Sequence, residues 1–251
     1  MKQGAGSTEQ GAPSREIGSV LPAPSSLPHD LWVVVTAYNE AGRIGAVLDE
    51  LLKIVTNIIV VDDGSSDDTC GEVLKRSVWL CRHLANLGQG AALQTGIRFA
   101  LDRNASCLVT FDADGQHQPH DIGALVTALA HCQADFALGS RFLGSAPGIP
   151  WTRKLMLRLA ARFGRLLSGL ALTDVHNGLR AMTRKGAERI RITMNRMEHA
   201  SEIIDQIAKS GLKYVEVPVT IRYTAETLAK GQKSSAAICL GLKLLLQKVI
   251  R

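Results

Sequence analysis

From Asp30 onward, short apolar runs alternate with helix-length amphipathic stretches. Leu31-Trp-Val-Val-Val-Thr-Ala is a continuous apolar run of strand length, the pattern of a strand buried on both faces. The spacing predicts a helix near residues 41–54, a second strand over 57–63 and a helix near 67–76. Val78-Trp-Leu-Cys reads as a third strand, followed by a helix near 89–102. Ser106-Cys-Leu-Val-Thr-Phe reads as a fourth strand, residues 119–130 as a helix, and Ala134-Asp-Phe-Ala-Leu-Gly as a fifth strand. This alternation predicts βαβ units in an α/β fold, with a Rossmann-like, mostly parallel central sheet and helices on both faces. Ligands of such sheets bind beyond the carboxyl ends of the strands. The polar motifs of this chain fall at those ends.

Residues 1–29 are rich in Gly, Ala, Ser and Pro and read as a flexible tail. Hydrophobic residues make up 46% of the 251 and charged residues 21%, which excludes a wholly disordered chain. Aromatics are only 4%, which argues against a base-stacking nucleic-acid binder. The five cysteines are scattered without a CxxC pair and read as reduced thiols of a cytoplasmic protein. The N-terminus lacks the apolar stretch of a signal peptide, and no apolar run reaches the roughly 20 residues that span a bilayer. The net charge of +6 conceals two unlike halves. Residues 1–140 carry 9 Lys/Arg against 16 Asp/Glu, and residues 141–251 carry 20 against 7.

Thr36-Ala-Tyr-Asn-Glu40 closes the first strand. The Tyr38 ring has the shape to stack on a nucleobase and Glu40 to accept from a base or ribose; the plain alternative is a turn with Asn39 as helix N-cap. Asp62-Asp-Gly-Ser-Ser-Asp-Asp-Thr69 closes the second strand. Its adjacent carboxylates repel, which a purely structural turn would avoid, and a ligand hydroxyl would use one of them. Phe111-Asp-Ala-Asp-Gly-Gln-His-Gln-Pro119 closes the fourth. Asp112 and Asp114 reach a common ion only if the chain turns there, as Gly115 indicates. Such hard oxygen ligands suit Mg²⁺ or Mn²⁺. His117 is either a further ligand or a solvated loop residue. The Gly-rich stretch from Asn86 to Gly96 opens a helix, but Leu93 stands where a dinucleotide fingerprint needs Gly.

Taken in order, AYNE, DDGSSDDT, NLGQGAALQTG, DADGQHQP and the GSR of 139–141 resemble the family 2 glycosyltransferases of GT-A fold. Thr173-Asp-Val-His-Asn-Gly-Leu-Arg-Ala-Met182 and Lys213-Tyr-Val-Glu-Val-Pro-Val219 resemble the dolichol- and polyprenyl-phosphate mannosyltransferase branch. The resemblance spans about residues 31–235 and implies a GT-A domain over 30–233, followed by an amphipathic helix over 234–251. It places Thr36, Tyr38, Glu40, Asp63, Asp112, Ala113, Arg180 and Lys233 around a nucleotide sugar. It places Asp112, Asp114 and Gln116 around Mg²⁺ or Mn²⁺, and gives Asp114, Arg141 and Glu202 catalytic roles. The chain departs from the family pattern at Thr36, where Pro is frequent, at Gln89, where Lys is common, and in the spacing after Tyr223. It also lacks the C-terminal transmembrane helices frequent in the membrane branch.

The activity implied is inverting transfer of a sugar from a GDP- or UDP-sugar to a polyprenyl phosphate, at the cytoplasmic face of the cell membrane. Two other readings stand beside it: transfer to a hydroxyl of a lipopolysaccharide or surface polysaccharide, and a non-catalytic nucleotide-sugar-binding partner of a membrane subunit. A sugar hydroxyl needs a base, for which Glu198 and Glu202 at i and i+4 are the candidates; a phosphate is already anionic. Arg158, Arg162 and Arg165 form a basic stripe on a segment from Trp151 to Leu170 that also carries apolar area. Such a helix is built either to lie on a membrane surface or to cover a core. A bilayer surface and a small membrane protein are therefore expected partners, and nucleic acid is not.

Overall fold

In the computed structural model, residues 15–16 and 27–223 are described. Lys233 and the helix expected over 234–251 lie outside them, as does most of the expected tail. The strands are β1 (Arg15–Glu16), β2 (Leu31–Ala37), β3 (Asn57–Asp62), β4 (Trp79–Arg82), β5 (Cys107–Asp112), β6 (Phe136–Ser145), β7 (Arg180–Thr183) and β8 (Tyr214–Thr220). The helices are α1 (Ala41–Leu51), α2 (Thr69–Leu74), α3 (Gln89–Asp102), α4 (Asp121–His131), α5 (Trp151–Ser168), α6 (Arg184–Arg189) and α7 (His199–Ser210). They build one eight-stranded sheet in the order β1-β8-β6-β7-β5-β2-β3-β4. Five of the seven pairings are parallel, and β7 runs antiparallel to both β5 and β6.

Strand β2 shows why the apolar runs are continuous. Its residues point alternately to the two faces. Val33 and Val35 join the apolar cluster with Ile44, Leu48 and Leu51 of α1 and Ile122 and Leu125 of α4. Trp32 and Val34 join the opposite cluster, with Leu93 and Ile97 of α3 and Ile203, Ile204 and Ile207 of α7. Each face is covered, so neither set of positions is polar. Each fully buried Leu or Ile contributes roughly 1.5–3 kcal/mol. The large buried side chains of α1, Ile44, Val47, Leu48 and Leu51, follow the i, i+3, i+4, i+7 spacing of a one-sided helix.

The expected elements between residues 31 and 139 all form, with shifted ends. Helix α1 stops at Leu51, α2 covers only Thr69–Leu74, and β6 continues to Ser145. The N-cap of α1 is Glu40 and not Asn39. Asn39 has positive φ and turns its side chain to the next loop, where Oδ1 accepts from the Ser66 amide. The hydrophobic pattern does not announce strands β1, β7 and β8; β7 is four residues long and is inserted between β5 and β6, both distant from it in sequence.

Candidate active site

The carboxyl ends of β2, β3 and β5 lie side by side and hold the predicted motifs. Thr36 is in register with Asp112, and its carbonyl accepts from the Ala113 amide at 3.3 Å. The chain then turns through Ala113–Gly115, so Asp112 and Asp114 share a neighbourhood instead of facing opposite sides. Ala113 itself is buried in the core beneath them. The Asp114 carboxylate accepts from the Gln116 amide at 3.0 Å. Burial pushes the Asp114 carboxyl up, and the negative charges of Asp112 and Glu40 push it further. Glu40 is tied at 2.9 Å to Arg43.

Asp112 is held by both oxygens. Gln89 Nε2 donates to Oδ1 at 2.7 Å, and His117 Nε2 lies 3.0 Å from Oδ2. Gly178 leaves room for this carboxylate, since a Cβ there would collide with Oδ2. Burial raises the Asp112 carboxyl, but His117 outweighs it, helped by His199 and Arg180, and holds it below the ordinary aspartate value. His117 is not a solvated loop residue. It is buried edge-on against Phe111, at 5.4 Å between ring centroids, and its Nδ1 is buried with no partner among the described residues. Arg180 lies wholly buried on β7, where loss of hydration lowers its pKa to about 10 against the pull of Asp112 and Asp174.

Asp63 and Tyr38 differ in access. Tyr38 is 48% exposed at the end of β2. Asp63 is 3% exposed and its oxygens are filled by four donors. Oδ1 takes His83 Nδ1 at 2.7 Å and the Leu87 amide at 3.0 Å. Oδ2 takes Asn86 Nδ2 at 3.0 Å and the Gly88 amide at 2.7 Å. His83 Nε2 continues to Thr95 Oγ1 at 3.0 Å. Asp63 thus clasps the loop into α3, and a nucleoside contact would require one of these donors to give way. Gly88 in that loop has φ 109°, and a side chain there would strike the Asn195 carbonyl.

On the other flank, Arg141 leaves β6 into a buried polar network. Its Nε donates to Asp174 Oδ2 at 2.6 Å, as does its backbone amide at 3.1 Å. Its terminal nitrogens donate to the Tyr223 hydroxyl and to the His176 carbonyl. Burial disfavours the Arg141 charge, but Asp174 and Tyr223 more than restore it. Glu216 on β8 supports the same loop by accepting from Thr173 and from the Asp174 amide. Arg141 also lines a cleft of about 120 Å³ with Phe142, Gly144, Ala146, Ile149, Lys154 and Arg158.

Glu202 is engaged by its own turn. It accepts from the Thr193 and Met194 amides at 2.9–3.0 Å and from the Thr193 hydroxyl, closing the turn before α7. Gln116 accepts through its carbonyl from the Arg222 amide. Sequence reasoning missed Gln89, Asp174 and Tyr223. The first two lie inside quoted motifs; Tyr223 carries no sequence signal. Among the described residues, no group of three or more His, Cys, Asp or Glu is arranged to hold a metal. The residues do suit a hard cation that keeps most of its other ligands, because the turn through Ala113–Gly115 keeps the oxygen donors of Asp112 and Asp114 at one strand end.

The sheet is that of a doubly wound α/β domain whose polar motifs, among them a carboxylate pair, gather at the carboxyl ends of the strands, where such folds bind their ligands. The comparisons make this specific: residues 32–191 match the Glycosyl transferase family 2 domain, and the chain belongs to that family. It is 30% identical over 246 residues to the polyprenol monophosphomannose synthase of Mycolicibacterium smegmatis, covering 93% of this chain and 89% of that one. It is 29% identical to the UDP-N-acetylglucosamine–dolichyl-phosphate N-acetylglucosaminyltransferase of Methanococcus voltae, covering 87% and 96%. Among solved structures it is similar to the glucosyl-3-phosphoglycerate synthase of Mycobacterium tuberculosis in complex with Mn²⁺ and UDP-glucose. The TM-score is 0.64 at 18% identity over 86% of this chain and 76% of that one, which shows the shared GT-A fold. The protein is a glycosyltransferase.

Proposed function

We propose that this glycosyltransferase moves a sugar from a nucleotide-diphosphate donor to a polyprenyl phosphate, working at the cytoplasmic face of a membrane. The observation that carries the reading is the cleft of Arg141, Lys154 and Arg158. Its three cationic side chains suit an anionic phosphate headgroup. Outside the cleft, α5 presents Trp151, Leu155 and Leu159 at i, i+4 and i+8, exposed by 76%, 50% and 53%. Arg158, Arg162 and Arg165 are exposed on the same helix. An apolar stripe flanked by cations matches an anionic bilayer surface. No helix among the described residues is long and apolar enough to cross a membrane. One relative is named as a dolichyl-phosphate N-acetylglucosaminyltransferase and another as a polyprenol monophosphomannose synthase, which supports the same acceptor class.

In this reading Tyr38 and Glu40 face the nucleoside, and Asp63 shapes the loop beside them. Asp112, Asp114 and Gln116 would hold a Mg²⁺ or Mn²⁺ ion, which supplies positive charge to the leaving diphosphate when bound. Arg141 holds a fixed guanidinium toward the phosphates, oriented in advance by Asp174 and Tyr223, so no solvent must reorganise as charge develops. The acceptor phosphate oxygen attacks the anomeric carbon, the bond to the diphosphate breaks, and the configuration inverts. No proton has to be removed from this nucleophile. A sugar-hydroxyl acceptor would need a base, and Glu202 is already committed to three donors of the Thr193–Met194 turn.

Reversing charge with Lys154→Glu and Arg158→Glu should raise KM for a short-chain polyprenyl phosphate by at least about tenfold while donor KM stays within about twofold, since each removed contact is charge-assisted. Equal loss of affinity for donor and acceptor, or no loss, would overturn the assignment of the cleft.

A further inference from the structure

We propose that Gln89 is the positioning residue of the carboxylate pair: it fixes the Asp112 carboxylate from the donor side while leaving its negative charge undiminished for the cation. The proposal rests on the reading of Asp112 and Asp114 as the ion site.

The geometry is a chain of contacts from the nucleoside loop to the DxD turn. Asp63 accepts from the Gly88 amide at 2.7 Å, which fixes the start of α3. Gln89, the next residue and the first of α3, reaches across to Asp112 Oδ1 at 2.7 Å. The Gly90 amide donates to the Asn195 carbonyl at 2.7 Å, so the backbone on the other side of Gln89 is anchored too. The amide nitrogen of Gln89 thus approaches Asp112 from a backbone held on both sides. His117 closes the other oxygen. The carboxylate has no freedom to rotate without losing one of two short contacts.

The chemistry of the donor decides its effect. An amide N–H orients a carboxylate as an ammonium would, but adds no charge. Asp112 therefore keeps its full negative charge, with Gln89 and His117 holding its two oxygens. An ion held by Asp112 and Asp114 would gain the attraction of both charges. A cation at 89 would cancel one of them. A third carboxylate there would add to them, at the cost of the hydrogen bond.

The test uses Mn²⁺ alone as probe, with free ion counted by electron paramagnetic resonance on the full chain. Gln89→Lys should weaken Mn²⁺ binding by about tenfold and Gln89→Glu should tighten it by about threefold, because opposite charges are introduced at one point close to the ion. Gln89→Ala should shift it less than either. Opposite movement by Lys and Glu is the signature, since a purely structural role would weaken binding in both. If Lys and Glu move binding in the same direction, or neither moves it, the proposal fails. Should Gln89→Lys not fold, Gln89→Glu against the native chain carries the test: tighter binding supports the role, and unchanged or weaker binding overturns it. Asp114→Ala is the control for the underlying reading. If it binds Mn²⁺ like the native chain, the ion site itself is misplaced and this proposal falls with it. If it loses Mn²⁺ while the Gln89 variants are inert, only the role of Gln89 is wrong.

Discussion

Replacing Asp63 by Asn separates a loop clasp from a direct nucleoside ligand. The carboxylate accepts from two backbone amides, Leu87 and Gly88, and from His83 and Asn86. Asparagine keeps the volume but turns one acceptor into a donor. Whichever way the amide faces, its NH₂ meets one backbone N–H that then has no acceptor. Leaving a buried donor unsatisfied costs about 1–3 kcal/mol, and the lost charge assistance on the remaining bonds brings the expected total to about 2–3 kcal/mol. At about 2–4 °C per kcal/mol for a protein of this size, Asp63→Asn should melt about 4–12 °C lower. Nucleotide affinity should fall as a consequence, because the loop into α3 is no longer held. Thermal unfolding and nucleotide titration by calorimetry, run on the same sample, check both. A variant that melts like the native chain but has lost nucleotide binding would refute the clasp and make Asp63 a direct ligand.

Asp174→Ala removes the counter-charge of buried Arg141 together with the acceptor of its backbone amide, so it should cost about 3–5 kcal/mol in denaturant unfolding. A loss below about 1 kcal/mol would show that Arg141 finds another partner, as surface pairs do. Asp114 is raised by burial and by its acidic neighbours, so its contribution to stability is fully present below its ordinary value and is lost as pH rises through the raised one. Metal-free Asp114→Asn should therefore melt above the native chain at neutral pH, and a lower melting temperature would contradict the crowded-carboxylate picture. The same raised value means that protons compete with the ion. Mn²⁺ affinity should fall as pH drops toward it, and a pH-independent affinity would place the ion elsewhere.

The sheet was legible in the sequence wherever a strand is buried on both faces, because β2, β3 and β5 then read as unbroken apolar runs. The motifs sit at the ends of those strands, so their neighbourhood followed from topology. Strand β7 was not legible: it takes its shape from pairing with β5 and β6, and its four residues include a buried Arg180. The site was readable as a set of residue types but not as a set of contacts. Asp63 has the identity of a ligand, yet its oxygens are consumed by donors from β4 and the following loop, which no local pattern announces. Glu202 was expected near the acceptor; the structure shows it engaged with a turn nine residues back, a contact set by chain geometry. Gln89 looked only like a departure from a pattern, and its role appears once α3 is placed against β5.

The central claim is the acceptor. The most direct measurement incubates the purified full chain with Mn²⁺, a panel of labelled nucleotide sugars and a short-chain polyprenyl phosphate, then partitions the label between organic and aqueous phases. The account predicts that label from at least one donor moves into the organic phase as a glycosyl phospholipid, dependent on Asp114 and on added cation, and not when the free polyprenol replaces the phosphate. Transfer of label to a glycan hydroxyl with none reaching the lipid phosphate would contradict it.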